Sequence, residues 1–325
     1  MAQLTGTTAV GDLVGIAEDV EDVIRRLDPM DTWAFTNAKR KKATAISHQW
    51  QTDALAAAVD TNAAIEGDAA TYTAATSTTM LSNYTQISQK TVRVSETADA
   101  VRKYGRAEEL AYQIAKKGKE VKRDIEKSFW ANKGSEAGGD STARVAAGME
   151  SQFYANRYKG GGADGTTPAY GAGVFTAPTD ASVAGTLTEA KLRAALELAW
   201  TDGGDPSVIV CGPWQKARIA TFAGATAFAG FYNPNNGKSE GAVIGGVSVY
   251  VSDFGDHKVV LSRYVRTKTL FCVDPEYISL AWLRPIKYRE LAKTGDASNG
   301  QIIGEWTAVC DNPSAHSKIC DLTVS

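Results

Sequence analysis

Gly237-Lys238-Ser239 closes the stretch NPNNGKSEG, residues 233–241, as a phosphate-cradling loop closes, with a lysine placed to meet phosphate oxygens and a hydroxyl placed to meet a metal. That chemistry needs a glycine five positions before Gly237, a strand ahead of the loop and a helix after it, so that backbone N–H groups converge on the anion. Tyr232 holds the position where the glycine is required, Gly230 stands two places too early, and the following AVIGGVSVYV reads as a strand. Lys293-Thr294-Gly295 matches one element of serine β-lactamases, but no Ser-x-x-Lys occurs to supply the nucleophile. Asp253-Phe254-Gly255 spells a kinase magnesium motif without the glycine-rich loop or the His-Arg-Asp loop that it serves. His48, His257 and His316 fall in three separate segments, and Cys211, Cys272, Cys310 and Cys320 form no C-x-x-C pair and no metal-ligand spacing with a histidine. The residues imply no catalytic site, no metal and no cofactor, and the cysteines read as reduced thiols, Cys211 as a small buried hydrophobe in the run Val208-Ile209-Val210.

Composition narrows the remaining classes. The 325 residues carry 35 basic and 37 acidic side chains, a net charge of −2, so no global positive field would hold nucleic acid or an anionic membrane. No run of eighteen apolar residues is present, and the first residues, MAQLTGTTAVGDLVG, lack the basic and apolar regions of a signal peptide. The expectation is a soluble protein with no membrane contact.

The elements that would position any surface follow from hydrophobic spacing. Over residues 12–27, Val20, Val23, Ile24 and Leu27 make one apolar stripe of a short helix, ended by Asp28-Pro29. Residues 36–95 hold eleven threonines and thirteen alanines but only ten of Val, Ile, Leu, Met and Trp, too little apolar surface for a core of their own. Their ends alternate like strands: AISHQWQT puts Ile46, His48, Trp50 and Thr52 on one face, and TQISQKTVRVS answers it as the second arm of an extended hairpin. A switch of apolar parity between Ile87 and Val92 predicts a bulge or bend there. Residues 98–130 then repeat apolar positions at three- and four-residue steps from Val101 and Tyr104 to Ile125 and Phe129, which predicts one helix of roughly 50 Å. The glycine-rich residues 134–185 read as a flexible insertion or a junction. After them come a helix capped by Thr186 with Glu189 and striped by Leu192, Ala195, Leu196 and Ala199, and a buried strand PSVIVCG. A helix opened by Pro213, strands at 247–252, 258–262 and 269–273, and two C-terminal strands complete a mixed α/β unit.

The order of these parts, together with DPMDTWAF (28–35), SHQWQTDAL (47–55), NYTQISQKTVRVSETADAV (83–101), EVKRDIE (120–126), VYVSDFG (249–255), VDPEYISLAWLRPIKYRELAKTGD (273–296) and GEWTAVCDNPSAH (304–316), resembles the tailed-bacteriophage major capsid proteins. The resemblance implies an α+β chain of the Hong Kong 97-type fold. Its parts would be an N-terminal arm (1–35), an extended E-loop (36–95), a P-domain spine helix (96–133), a glycine-rich insertion or junction (134–185), an A-domain (186–265) and a return to the P-domain (266–325). Family members that crosslink join an E-loop lysine to an asparagine of a neighbour. Lys90 lies at the base of the second arm rather than at a tip, so no crosslink is carried over. The implied function is structural: self-assembly into hexamers and pentamers of an icosahedral head that encloses double-stranded DNA without reading its sequence, in a virion assembled in the bacterial cytoplasm. The implied partners are further copies of the chain, with scaffolding, portal and decoration proteins beside them. Candidate inter-subunit contacts are Ile46, His48, Trp50 and Arg93 on the E-loop and its base, and Lys293 and Asp296 in the LAKTGD turn. Trp50 has a second reading, as a cap on its own subunit's core. Two alternatives remain at this stage, an encapsulin-type compartment of the same fold and a phosphate-binding enzyme using Gly237, Lys238 and Ser239.

Overall fold

The computed structural model describes residues 24–70, 72, 74, 75, 77–222 and 248–324. Most of the helix expected over 12–27, the Gly237-Lys238-Ser239 triplet and the first residue of the strand expected at 247–252 lie outside the described residues; residues 24–32 form no helix.

Two sheets organise the chain. The first has four strands in the order β1 (Lys39–Lys42), β12 (Ile278–Leu291), β13 (Ala297–Cys310) and β4 (Gln86–Ser95), with β1 parallel to β12 and the rest antiparallel. Helix α3 (Glu109–Phe129) lies over one face of it and buries Val121, Ile125 and Phe129 beside Ile302 and Trp306 of β13. The second sheet has six strands, β5 (Arg157–Lys159), β14 (Ser317–Cys320), β11 (Leu270–Val273), β8 (Val208–Cys211), β10 (Gly255–Leu261) and β9 (Val249–Ser252), in that order. Its central strands are apolar at every position because both faces are covered. Ile209, Cys211, Leu270, Cys272 and Ile319 face helices α5 (Glu189–Thr201) and α6 (Pro213–Ile219). Val208, Val210, Phe271 and Val273 face the other way, into the cluster beneath the first sheet. The alternation of one strand pair thus feeds two cores.

The end of α3 is the plug between the sheets. Trp130 packs on Phe271 at 5.0 Å between ring centroids and edge-on to Phe129 at 5.1 Å, and Phe271 meets Phe153 at 5.7 Å. Glu126, fully buried one turn earlier, accepts from the backbone N–H groups of Ala34 (3.0 Å) and Phe35 (2.7 Å) at the start of α1 (Trp33–Asn37) and from Trp130 Nε1 (2.8 Å). Burial pushes its carboxyl above the ordinary range, and these three donors pull it back.

Five expectations are corrected. The helix over 98–130 is two helices, α2 (Glu96–Ala100) and α3, because Gly105 turns the chain with φ at +74° and the Asp99 carboxylate accepts from the N–H of Glu109 (2.7 Å) to start α3 afresh. Its 21 residues give about 32 Å instead of 50 Å. The arm AISHQWQT pairs as β2 (Ser47–Thr52) with β3 (Thr79–Tyr84), while TQISQKTVRVS is β4 and pairs with β13. No bulge interrupts β4: its even positions, Val92 and Val94 among them, turn inward, and Ile87 is left exposed. The N-cap of α5 is Thr188, whose hydroxyl accepts from Lys191 N–H, rather than Thr186. Residues 134–185 thread through the core, carrying α4 (Met149–Gln152), β5, β6 (Ala169–Gly171) and β7 (Val174–Thr176), with Met149, Phe153 and Phe175 fully buried. Glycine is needed at Gly148 and Gly185 because a Cβ there would overlap the carbonyl oxygens of Ala131 and Gly160.

His316 shows the pH consequence of this packing. It is fully buried, stacks on Phe153 at 4.5 Å and accepts from Asp274 N–H through Nδ1 (3.1 Å), and burial lowers its pKa to about 3. The unfolded chain, with a histidine pKa of about 6.5, binds the proton first, so His316 removes about 1.4 kcal/mol of stability per pH unit below 6.5. Glu126 and Glu150, whose carboxyls burial pushes up, act in the opposite sense on acidification. Denaturant unfolding of wild type and His316→Asn at pH 7, 6, 5 and 4 is expected to show a stability difference that shifts in favour of the variant as pH falls; a constant difference contradicts the neutral, buried imidazole.

Candidate assembly surfaces

The strand β2–β3 ladder is the root of a long extended segment. It pairs Ser47 with Tyr84 through to Thr52 with Thr79, and beyond it the described residues of 53–78 make no strand pairing. Leu55 is 100% exposed, Ile65 78% and Tyr72 95%, so the apolar groups of this segment find no cover within the subunit. The root itself is fixed. Asn83, fully buried, donates to Ala308 O (2.8 Å) and accepts from Ala147 N–H (2.9 Å), and the buried Thr85 hydroxyl donates to Glu305 Oε1 (2.8 Å).

The six residues proposed from sequence separate into two places. Ile46, His48 and Trp50 stand on β2 or beside it. Trp50 stacks on Phe175 at 6.3 Å and 23° between planes and packs against Leu81 and Ala147, so its second reading, a cap on its own core, is the one the geometry supports. His48 lies 6.0 Å from the Trp50 ring, half-buried, and desolvation, followed by the charge of Lys41, lowers its pKa. Ile46 is 49% exposed and remains available. Arg93, Lys293 and Asp296 gather at the far end of the first sheet, about 25–30 Å along β4 from Thr85. There Arg93 Nε donates to Asn299 Oδ1 (2.7 Å), Lys293 Nζ meets Glu96 Oε1 (2.7 Å), and the backbone oxygen of Asp296 accepts from Glu96 N–H (3.4 Å) across the turn at Gly295, φ +75°. The pairing raises the Lys293 pKa and lowers that of Glu96, each chiefly through their shared hydrogen bond.

The sequence reading missed the strand β12 and the cations it presents. Pro285 stands inside it, and the register with β13 shifts between Trp282 and Lys287, so that Arg284, Lys287 and Arg289 share the face turned away from α3. Arg284 meets Glu305 Oε2 at 2.8 Å, and Arg144 meets its other oxygen. The signal in the sequence is the alternation Arg284-x-x-Lys287-x-Arg289 with a proline at the break.

The catalytic look-alikes become ordinary turns. Asp253-Phe254-Gly255 is the hairpin between β9 and β10, with Gly255 at φ +123° and Phe254 against Trp200. Lys293-Thr294-Gly295 is the turn between β12 and β13. All four cysteines are buried and free, and burial raises Cys211 and Cys272 to about 12 and Cys320 to about 11, with Cys310 also raised, so none is a thiolate near neutral pH. Among the described residues no group of three or more His, Cys, Asp and Glu is placed to hold a metal, and no helix is long and apolar enough to cross a membrane.

Replacing Trp50 with alanine is expected to cost the isolated subunit about 2 kcal/mol, since it strips the ring from Phe175. Replacing the exposed Ile46 should change stability by less than about 0.5 kcal/mol. Thermal or denaturant unfolding of the two variants checks this, and equal small effects contradict the assignment of Trp50 to its own core.

Comparison with known proteins matches this arrangement. The model of the SU10 major capsid protein family matches residues 3–323. A major capsid protein of Escherichia phage Phieco32 is 46% identical over 101 residues, which is 31% of this chain, and the chain spans 29% of that relative's length. Among solved structures, the capsid of a native GTA particle superposes with a TM-score of 0.60 at 10% identity, covering 98% of this chain and 100% of the other. A chain of Microbacterium phage Oxtober96 gives 0.58 at 12% identity, covering 94% and 96%. An encapsulin complex from Synechococcus elongatus gives 0.56 at 9% identity, covering 95% and 94%. At such identities these likenesses show the fold, the Hong Kong 97-type α+β capsid fold. With the family model spanning nearly every residue, the chain belongs to the SU10 family of bacteriophage major capsid proteins.

Proposed function

We propose that the chain self-assembles into hexamers and pentamers of an icosahedral phage head that encloses double-stranded DNA. The observation that carries this is the segment 53–78, whose apolar side chains Leu55, Val59, Ile65 and Tyr72 are left in water by the subunit. Exposed apolar surface on an extended arm is stable in function only when a partner covers it, and a shell of identical copies provides the same partner to every arm. In this reading the E-loop expected over 36–95 is its part between β1 and β4, α3 is the spine helix, the first sheet with β1 and β4 belongs to the P-domain, and the six-stranded sheet with α5 and α6 is the A-domain. A net charge of −2 suits many copies side by side around a nucleic acid that is contained without being read. The virion is the place of function, the bacterial cytoplasm the place of assembly, and scaffolding, portal and decoration proteins are the further partners proposed. An encapsulin-type compartment shares the fold; the family match favours the phage, and DNA rather than protein as the content separates the two.

Removing residues 56–77 leaves the β2–β3 ladder whole and is expected to yield a subunit with unchanged secondary structure and unfolding midpoint that forms no closed shells in electron microscopy. Closed shells of wild-type size from this variant overturn the role given to the loop.

A further inference from the structure

Between strand β4 and the first half of α3 lies an open groove of about 700 Å³, bordered by α2 and the turn at Gly105. Its apolar lining comes from Val92 and Val94, which turn inward from β4, and from Val101. Val101 is 59% exposed and Tyr104, on the same turn, 58%, so apolar surface is left open beside the groove. Among the described residues its lining carries four cations, Arg93, Lys103, Arg106 and Lys117, and one carboxylate, Glu109, which Arg106 already meets. Lys103 and Lys117 are answered from outside the lining by Asp99 at 3.6 Å and Glu120 at 2.8 Å. Arg93 donates to Asn299 Oδ1, and among the described residues no carboxylate stands within ion-pair distance of it.

The N-terminal part of the chain leads to this groove. Lys119 Nζ meets Asp28 Oδ2 at 2.7 Å, the Arg26 guanidinium lies 5.7 Å from the centre of the Tyr112 ring, and Ile24 covers Gly105 so closely that a Cβ there would stand 2.6 Å from Ile24 Cγ1. Residues 28, 26 and 24 thus step against the direction of α3, the first two contacts about 10 Å apart along its axis, and reach the turn that borders the groove. Arg106 of the lining lies over the same Tyr112 ring at 5.5 Å, so the path of the chain and the groove share a wall.

Residues 12–23, outside the described residues, have the composition that such a groove accepts. They contain Asp12, Glu18, Asp19, Glu21 and Asp22 and not one lysine, arginine or histidine. Leu13, Ile16, Val20 and Val23 are spaced for a single side of a helix, and on that spacing Asp19 and Glu21 fall on its two flanks. We propose that the groove between β4 and α3 is the seat of residues 12–23 of the same chain, with this apolar stripe against Val92, Val94 and Val101 and the flanking acids beside Arg93 and Lys103. The same chain is favoured over a neighbouring copy because Val23 follows directly on Ile24, which already lies at the groove's border, so the local concentration of the segment there is high. The charge pairs at the rim are weakened by salt, whereas the apolar contacts are not.

Hydrogen exchange of the full-length chain, read by mass spectrometry at a dilution where light scattering gives the mass of a monomer, tests the docking. Amides of residues 14–23 are expected to exchange at least roughly tenfold more slowly than those of a synthetic peptide of residues 12–27. Val101→Asp, which puts a charge under the stripe, and Arg93→Glu with Lys103→Glu, which reverses the rim, are each expected to return these amides toward the peptide rate. The amides of β13 and β8 should stay protected in both variants, which shows that the body of the subunit is intact. Adding Asp19→Lys and Glu21→Lys to the rim variant is expected to restore the protection. Peptide-like rates in wild type overturn the proposal, and so does protection that neither variant changes, which gives the segment another seat. Protection that is absent from the monomer and arises only as oligomers form overturns the same-chain assignment and gives the groove to a neighbour's segment.

Discussion

The rest of the structure depends on a carboxylate placed where elementary electrostatics disfavours it. Glu126 lies in the last turn of α3, at the negative end of the helix dipole, and is removed from water. It is retained because three N–H donors converge on it, two from the start of α1 and one from Trp130. Those bonds fix the crossing of the N-terminal segment over α3 and hold the indole at the angle from which it reaches Phe271 of the second sheet. Remove the carboxylate and two unsatisfied backbone donors and a loosened tryptophan remain in the cluster where both sheets meet. The buried charge thus serves as a locator for hydrophobic packing.

The legible parts of the sequence are those where local pattern and tertiary surroundings agree. The stripe of α5 is buried as spaced, and the run Val208–Cys211 is a strand covered on both sides. Failures occur where a side-chain contact distant in sequence decides. Val101 and Tyr104 continue the apolar spacing of α3, but the left-handed turn at Gly105 and the Asp99 cap break the helix before it. β12 is hidden because its outer half is charged and register shifts on either side of Arg284 interrupt its alternation, so no single period describes it. The candidate contacts have the same limit: alternation shows that Trp50 shares a face with His48, but only the arrival of Phe175 from a glycine-rich stretch shows whose core that face belongs to.

Several buried polar groups elsewhere share a pattern, in which a side chain from one segment satisfies the backbone of another. Asn83 ties the loop's return strand to β13 and to residue 147, Gln152 bridges Ala147, Ala308 and Cys310, and Lys318, fully buried with its pKa lowered to about 8, donates to the carbonyl of Glu150. None of these groups could leave without stranding a partner in a dry interior. The segments that meet beneath the two sheets are thereby tied to one another through side chain and backbone alike.

Strand β14 occupies an interior place in the six-stranded sheet, between β5 and β11. Residues 317–320 therefore join chain segments made long before them, the parallel partner being some 160 positions earlier. Such remote pairings are formed late and slowly, since much chain must be ordered before they repay it. During synthesis the sheet stays open between β5 and β11 until residue 320 has emerged, so segments some 160 positions apart wait for one short strand to bring them into a single ladder. The order in which the polypeptide is threaded thus makes β14 the strand that joins the two halves of that sheet.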